Sequence, residues 1–359
     1  MPAWRGVGEL KRHRILLLFL LFFVVFCLSG CKKSSKNDKV LYLYNWTYYT
    51  PDEILESFKK ETGITVIVDN FAANEEMFAK VQAGGGAKGY DLIVPSQDYT
   101  SIMIKLGMLH ELDHSKIPNL KYIKPEINKM AKYDPEMRYS VPYFAGGSGI
   151  AVNKTKVTDY ARDWSIFADT RYKGKMSMLD DIREVMGAAL KHLGYSANST
   201  NDKELNEAAN LVITKWKPNL VKFDAESFGK SFASGEFTIV HCYAENVFQE
   251  VAEENWKDID FFVPPEGGVS YIDNFVIPKD AQHVEYAYQF INYFCDPKVY
   301  AVFLDTFNYP STVNTEAGKY QKVTPYFQPD DIIHSELYTD LGADLDKYNA
   351  LWQKIRYDQ

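Results

Sequence analysis

The chain has 359 residues, 46% of them hydrophobic, with 40 Lys+Arg against 48 Asp+Glu and a formal net charge of −8. That length accommodates two domains, each with a sizeable core. The acidic balance argues against a nucleic-acid partner and leaves room for a cationic ligand, although acidity by itself also serves solubility.

Arg5, Lys11, Arg12 and Arg14 precede an apolar run from Ile15 to Leu28 that ends in Leu28-Ser29-Gly30-Cys31. The run has the length of a signal h-region and is shorter than the roughly 20 residues of a membrane span. Residues 1–30 are therefore predicted to be a lipoprotein signal peptide, with a transmembrane anchor as the alternative. Cys31 is the expected lipidation site, acylated at its thiol and its new amino terminus, since two or more chains give stable anchoring. Residues 31–39 carry the polar stretch KKSSKNDK and read as a tether. Of the remaining cysteines, Cys27 leaves with the signal, and Cys242 and Cys295 stand singly in apolar runs that predict buried thiols.

From Val40 onward, short apolar runs alternate with amphipathic stretches. Val40 to Tyr44 predicts a strand in which Leu41 and Leu43 take one face and Tyr42 and Tyr44 the other, with Trp46 falling beyond its end. Pro51 opens a helix to Lys60 with Ile54, Leu55 and Phe58 on one side, and Ile64 to Val68 is the next strand. A helix over 75–82, a strand over 91–94 and a helix over 101–106 complete a β-α-β-α-β-α series, which predicts an α/β fold with parallel strands. YSVPYFAGGSGIAV, Tyr139 to Val152, reads as a first crossing between two lobes. Helices are expected over 182–193 and 202–216, and strands over 237–242 and 259–263. PPEGGVSYIDNFVIP, Pro264 to Pro278, reads as the return crossing, followed by helices over 283–295, 297–306 and 345–355.

Two strings resemble enzyme motifs. HELDH, His110 to His114, matches the zinc string HExxH, but Gly107 before it and Pro118 after it argue against the continuous helix that would put both histidines on one face. GGGAKG, Gly84 to Gly89, matches GxGxxG but follows a helix and precedes a strand, the reverse of the order that aims a helix N-terminus at phosphate. In LDDIRE, Asp181 and Glu184 can face one space, while Asp180 and Asp181 are also ordinary helix-capping residues. Aromatic residues make up 15% of the chain and gather at predicted strand ends, as at Trp46, Tyr48, Tyr49, Tyr99, Tyr243, Tyr271 and Tyr309. Tyr271 and Asp273, two apart, share a strand face. An aromatic beside an acid suits an alkylammonium group, and the same pair can hold a sugar, so the residues alone leave both open.

YNWTYY after the first strand, GYDLIVPS at 89–96, DDIREV at 180–185 and GGVSYIDNFVIP at 267–278 together resemble the spermidine/putrescine-binding proteins of polyamine ABC importers. The resemblance implies a two-lobed type II periplasmic-binding-protein fold, with residues 40–146 and 270–314 in the first lobe and 147–269 and 315–359 in the second. It implies a monomer of the bacterial cell envelope, lipid-anchored on the periplasmic side of a membrane, with a polyamine as ligand and ABC permease subunits as partners. No catalytic residue, metal or cofactor is expected. By the same resemblance Trp46, Thr47 and Tyr49 form the first wall of the site and Ser96 contacts ligand. Asp181, Glu184 and Asp273 receive amines, Tyr309 is a further wall, and Asp180 becomes the expected cap. The sequence departs from the family at Tyr243 and Tyr271, where tryptophan is known, at Asp98, where an aromatic is common, and at Tyr338, in place of a polar amide. The rival readings are a carbohydrate-binding lipoprotein and a cleft hydrolase.

Overall fold

The computed structural model describes residues 39–47, 49–83, 89–328, 332 and 334–357. Cys31, Tyr48 and most of the GGGAKG string lie outside the described residues. Within them no helix is long and apolar enough to cross a membrane.

Two sheets organise the chain. The first is six-stranded: β1 (Val40–Trp46), β2 (Thr65–Phe71), β3 (Leu92–Ile93), β4 (Ser140–Gly147), β10 (Val269–Val276) and β11 (Glu336–Leu337). It runs in the order β11-β10-β3-β1-β2, with β4 also on β10. β1 lies parallel to β2 and β3, as the alternating helices predict, whereas β10 runs antiparallel to β3 and β4. The second sheet has the order β7-β6-β8-β5-β9, from β5 (Gly149–Asn153), β6 (Met176–Met178), β7 (Leu220–Phe223), β8 (Ile239–Cys242) and β9 (Ile259–Phe262). The two-sheet α/β fold expected from the sequence is thus present. Ser148 is the single residue between β4 of one sheet and β5 of the other.

Two details differ from the sequence reading. β1 continues to Trp46, which pairs with Phe71 and packs on its ring at 4.6 Å, so Trp46 ends the strand rather than following it. The β1 faces are also unequal: Tyr42 is exposed, but Tyr44 is fully buried and stacked on Tyr90 at 4.4 Å. The short strand β11 pairs with β10, while Glu336 within it accepts from Lys191 Nζ at 2.9 Å and Ser196 Oγ at 2.6 Å. The 315–359 segment therefore touches elements of both sheets, although its final helix, Leu345–Tyr357, buries Tyr348, Leu351, Trp352 and Ile355 in the core of the second.

A β-bulge separates Asp273 from Asn274, because Asp273 pairs with Phe144 and Asn274 with Pro142, leaving Tyr143 unpaired. Pro142 has no N–H to give the ladder, and a bulge at this point re-aims the neighbouring side chains.

Candidate functional site: a carboxylate-lined cleft

Asp273 is the centre of the first-sheet side. It is 5% exposed and forms an isolated bridge with Ser96. Ser96 stands at the N-cap of the helix Gln97–Lys105 yet makes no side-chain cap bond. Its hydroxyl donates instead to Asp273 Oδ1 at 2.6 Å. The second oxygen, Oδ2, accepts from Tyr49 Oη at 3.0 Å. Tyr49 is delivered by a turn that Asn45 fixes, bonding Thr50 Oγ1 at 2.7 Å and the Trp46 amide at 2.8 Å. The Tyr49 ring is buried against Tyr143, Phe303 and Tyr309, and Tyr309 stacks on Phe144 at 4.2 Å. Burial pushes the Asp273 carboxyl up to about 7, the two hydroxyl donors offsetting only part of the effect and Asp98 adding repulsion.

Glu184 is the centre of the second-sheet side. It lies in the first turn of the helix Ile182–His192 and is 1% exposed. Tyr243 Oη donates to its Oε1 at 2.9 Å, Ser148 Oγ donates to Oε2, and His241 Nε2 stands 3.4 Å from Oε2 and 3.0 Å from Ser148 Oγ. Burial alone would raise the Glu184 pKa, but the His241 and Ser148 contacts outweigh it and hold the carboxyl below its usual range. The cap expected of Asp180 falls to its neighbour. Asp181 is the cap, its Oδ1 accepting from the amides of Arg183 at 2.7 Å and Glu184 at 3.1 Å, while Asp180 pairs with Arg356 at 3.2 Å. The helix begins one residue later than the Asp180 cap requires. Asp181 remains exposed, and crowding together with the Glu184 charge raises its pKa.

Aromatic contacts link the two sides. The Tyr243 and Tyr271 rings meet edge to face at 6.0 Å, and Tyr271 shares β10 with Asp273. Tyr271 can lie where it does because residue 146 is glycine: a Cβ there would stand 2.5 Å from Tyr271 Oη. Tyr338 is half-buried under the Arg183 guanidinium, 4.8 Å from its ring centroid, and near enough to Glu184 to help lower its pKa, although its hydroxyl has no bonding partner among the described residues. Asp98 is half-buried and accepts from the Tyr99 amide at 2.9 Å, with Arg183 close enough to stabilise its charge and burial raising its pKa. Thr47, expected in the same wall, is exposed, and its hydroxyl donates to the Phe71 carbonyl at 3.3 Å. Trp46 is half-buried, and its indole N–H is buried without a partner among the described residues.

Three residues of this cleft escaped the sequence reading. Ser148 lay in a glycine-rich stretch read only as a crossing, and His241 lay inside an apolar strand. Glu245 follows Tyr243 by two positions, and burial together with the Asp273 charge pushes its carboxyl up to about 7. Its one signal was an acid just beyond a strand end. The HELDH string is not one continuous helix: the His110 amide bonds Ile277, the Leu112 amide bonds Arg138, Leu112 is buried, Glu111 pairs with Arg138 at 2.8 Å, and only His114 enters a short 3₁₀ turn, His114–Lys116. Cys242 and Cys295 are buried free thiols.

Residues 53–328 match the family of bacterial extracellular solute-binding proteins. The chain is 36% identical over 331 residues to the spermidine/putrescine-binding periplasmic protein of Escherichia coli, covering 90% of this chain and 93% of that protein. It is 34% identical over 293 residues to the putrescine/cadaverine-binding protein of Pseudomonas aeruginosa, covering 77% and 80%. Among solved structures, the TpPotD lipoprotein of Treponema pallidum superposes with a TM-score of 0.85 at 50% identity, over 89% of this chain and 100% of that one. With two sheets in an α/β fold, buried acids and tyrosines from both sides meeting at the Tyr243–Tyr271 contact, and this similarity along most of its length, the chain belongs to the bacterial extracellular solute-binding proteins, a family that binds solutes rather than transforming them.

Proposed function

We propose that this protein captures a polyamine of the spermidine/putrescine class between two lobes and delivers it to the permease subunits of an ABC importer. The reading takes residues 40–146 with 270–314 as one lobe and 147–269 with 315–359 as the other. The observation that carries it is the pair of buried carboxylates, Asp273 from one sheet and Glu184 from the other, joined through the Tyr243–Tyr271 ring contact. Two anions separated by aromatic faces match an alkyl chain with an ammonium at each end, because the rings hold methylenes and cations while the acids supply charge-assisted hydrogen bonds. A neutral sugar would bring no counter-charge to Asp273 and so gain nothing from its ionisation, whereas an ammonium group selects the ionised form. The relatives named for spermidine, putrescine and cadaverine support the same ligand class. Trp46, Thr47, Tyr49, Ser96, Asp98, Asp181, Tyr309 and Tyr338 complete the proposed site.

The protein works as a monomer held by acylated Cys31 at the periplasmic side of a membrane, a reading supported by the lipoprotein character of the Treponema pallidum relative. Calorimetry with putrescine, cadaverine, spermidine and spermine at two ionic strengths tests the ligand class. Binding of at least one, weakened by salt, is expected; no heat and no thermal shift with any of them overturns it. Labelling with radioactive palmitate in a bacterial host, lost in Cys31→Ala, tests the anchor.

A further inference from the structure

Glu245 lies in the short helix Ala244–Phe248 that follows β8. Ala244, Val247 and Phe248 form the buried face of that helix, with Phe248 stacked on Tyr326 at 4.4 Å. Asn246 is exposed, and its carbonyl lies against Gly229. Glu245 falls between those faces and is half-buried. Tyr243, the N-cap of this helix, donates to Glu184 at 2.9 Å and meets the Tyr271 ring at 6.0 Å, so the helix opens at the site with Glu245 in its first turn, and the Glu245 charge acts on Tyr271, Tyr309, Tyr326 and Asp273. It therefore sits on the cleft already described, at the end where Tyr309 and Tyr326 stand.

What distinguishes Glu245 is the lack of any protein donor. Asp273 accepts from Tyr49 and Ser96, Glu184 from Tyr243 and Ser148, and Asp181 from two amides. Among the described residues, no other side chain hydrogen-bonds or ion-pairs with the Glu245 carboxylate, which has only its own amide. A half-buried acid without a donor is costly in its charged form unless a cation arrives from outside.

On the polyamine reading, we infer that Glu245 is a ligand carboxylate in its own right, taking an ammonium group beyond those held at Asp273 and Glu184, so that the site discriminates in favour of polyamines with three or more amines. The rings of Tyr271, Tyr309 and Tyr326 would flank the intervening methylenes.

The test is Glu245→Gln, which keeps shape and removes charge, titrated with spermidine and with putrescine by calorimetry at fixed pH and ionic strength. Spermidine affinity is expected to fall about tenfold or more and putrescine affinity less than about threefold. The unliganded melting temperature should rise or stay level, because an uncompensated acid has been removed. Equal losses for the two ligands, or no loss for either, overturn the inference while leaving the polyamine reading intact. If the unsubstituted protein binds neither amine, that reading fails and this inference with it.

Discussion

Glu184 and Asp273 are buried to nearly the same extent, yet their surroundings drive their protonation in opposite directions. Glu184 is held below its usual range by His241 and Ser148, whereas Asp273, supported only by neutral hydroxyls, is pushed up to about 7. Near neutral pH the cleft thus presents one settled anion and one carboxyl that ionises readily when a cation approaches.

The first expectation concerns pH. Asp273 and Glu245 both have folded values near 7, above their ordinary 3.8 and 4.5. Between those limits the folded state binds more protons than the unfolded chain, so the two groups make the unliganded protein less stable as pH rises from about 4 to about 7. Ligand binding has the opposite sign, because an ammonium group selects the ionised form. Polyamine affinity should rise between pH 6 and 8, by up to about tenfold per unit for each coupled proton below pH 7. Calorimetry in buffers of different ionisation enthalpy should detect protons released at pH 6 and few at pH 8; proton uptake on binding would be incompatible with this assignment.

His241→Phe should weaken binding without touching ligand. The ring can keep its edge-to-face contact with Trp164, at 4.9 Å, but Glu184 loses the imidazole beside Oε2. Burial then pulls the Glu184 pKa upward, and about 3 kcal/mol of stability should go with the broken pair. The distinguishing sign is a new pH dependence of affinity, absent from a merely destabilised variant.

Gly146→Ala tests the position of Tyr271. The new methyl would meet Tyr271 Oη at 2.5 Å and Cζ at 2.6 Å, so the ring must swing away from Tyr243. Loss of one aromatic face should lower polyamine affinity about three- to tenfold. Adding Gly146→Ala to Tyr271→Ala should cost little more, since both changes act through one ring.

Asp181 separates capping from binding. Asp181→Asn preserves an oxygen for the two helix amides and should leave stability within about 0.5 kcal/mol, whereas Asp181→Ala should lose about 1 kcal/mol. If the exposed carboxylate also meets an amine, both variants bind polyamine more weakly. Equal affinity for Asp181→Asn and the unsubstituted protein would assign Asp181 to the helix alone.

Much of the architecture was legible because it rests on periodicity. Leu41 and Leu43 alternate into the core, and Tyr271 and Asp273 share a strand face, both direct products of a two-residue repeat. β6 and β7 were not visible in the sequence: β7 leaves Val221 and Lys222 exposed at its centre, so it lacks the apolar run that marked the equally short β8 and β9. The helix begins at Ile182 as expected, which makes Asp181 its N-cap; Asp180 was expected there only because the family resemblance gave Asp181 to the ligand. Ser148 and His241 have meaning only through partners distant in sequence: Ser148 meets Glu184 36 residues away, and His241 meets Ser148 across 93, whereas Glu245 has no side-chain partner among the described residues for spacing to reveal. Trp46 was misplaced because its aromatic ring, rather than its backbone pairing with Phe71, drew the boundary of β1.

If the two proposed lobes swing about the crossing between β4 and β5, Ser148 would give the site an order of assembly. A residue at a pivot travels least when the arms on either side swing, and Ser148, alone between β4 and β5, carries the hydroxyl that anchors Glu184. A swing that parts Tyr243 from Tyr271 would leave that anchor in place. On the two-lobe reading proposed above, the Glu184 half would be ready before ligand arrives and the Asp273 half would be added to it. Stopped-flow fluorescence should then resolve two steps, a rapid first encounter abolished by Glu184→Gln and a slower one abolished by Asp273→Asn; the reverse pattern would show that capture begins at Asp273.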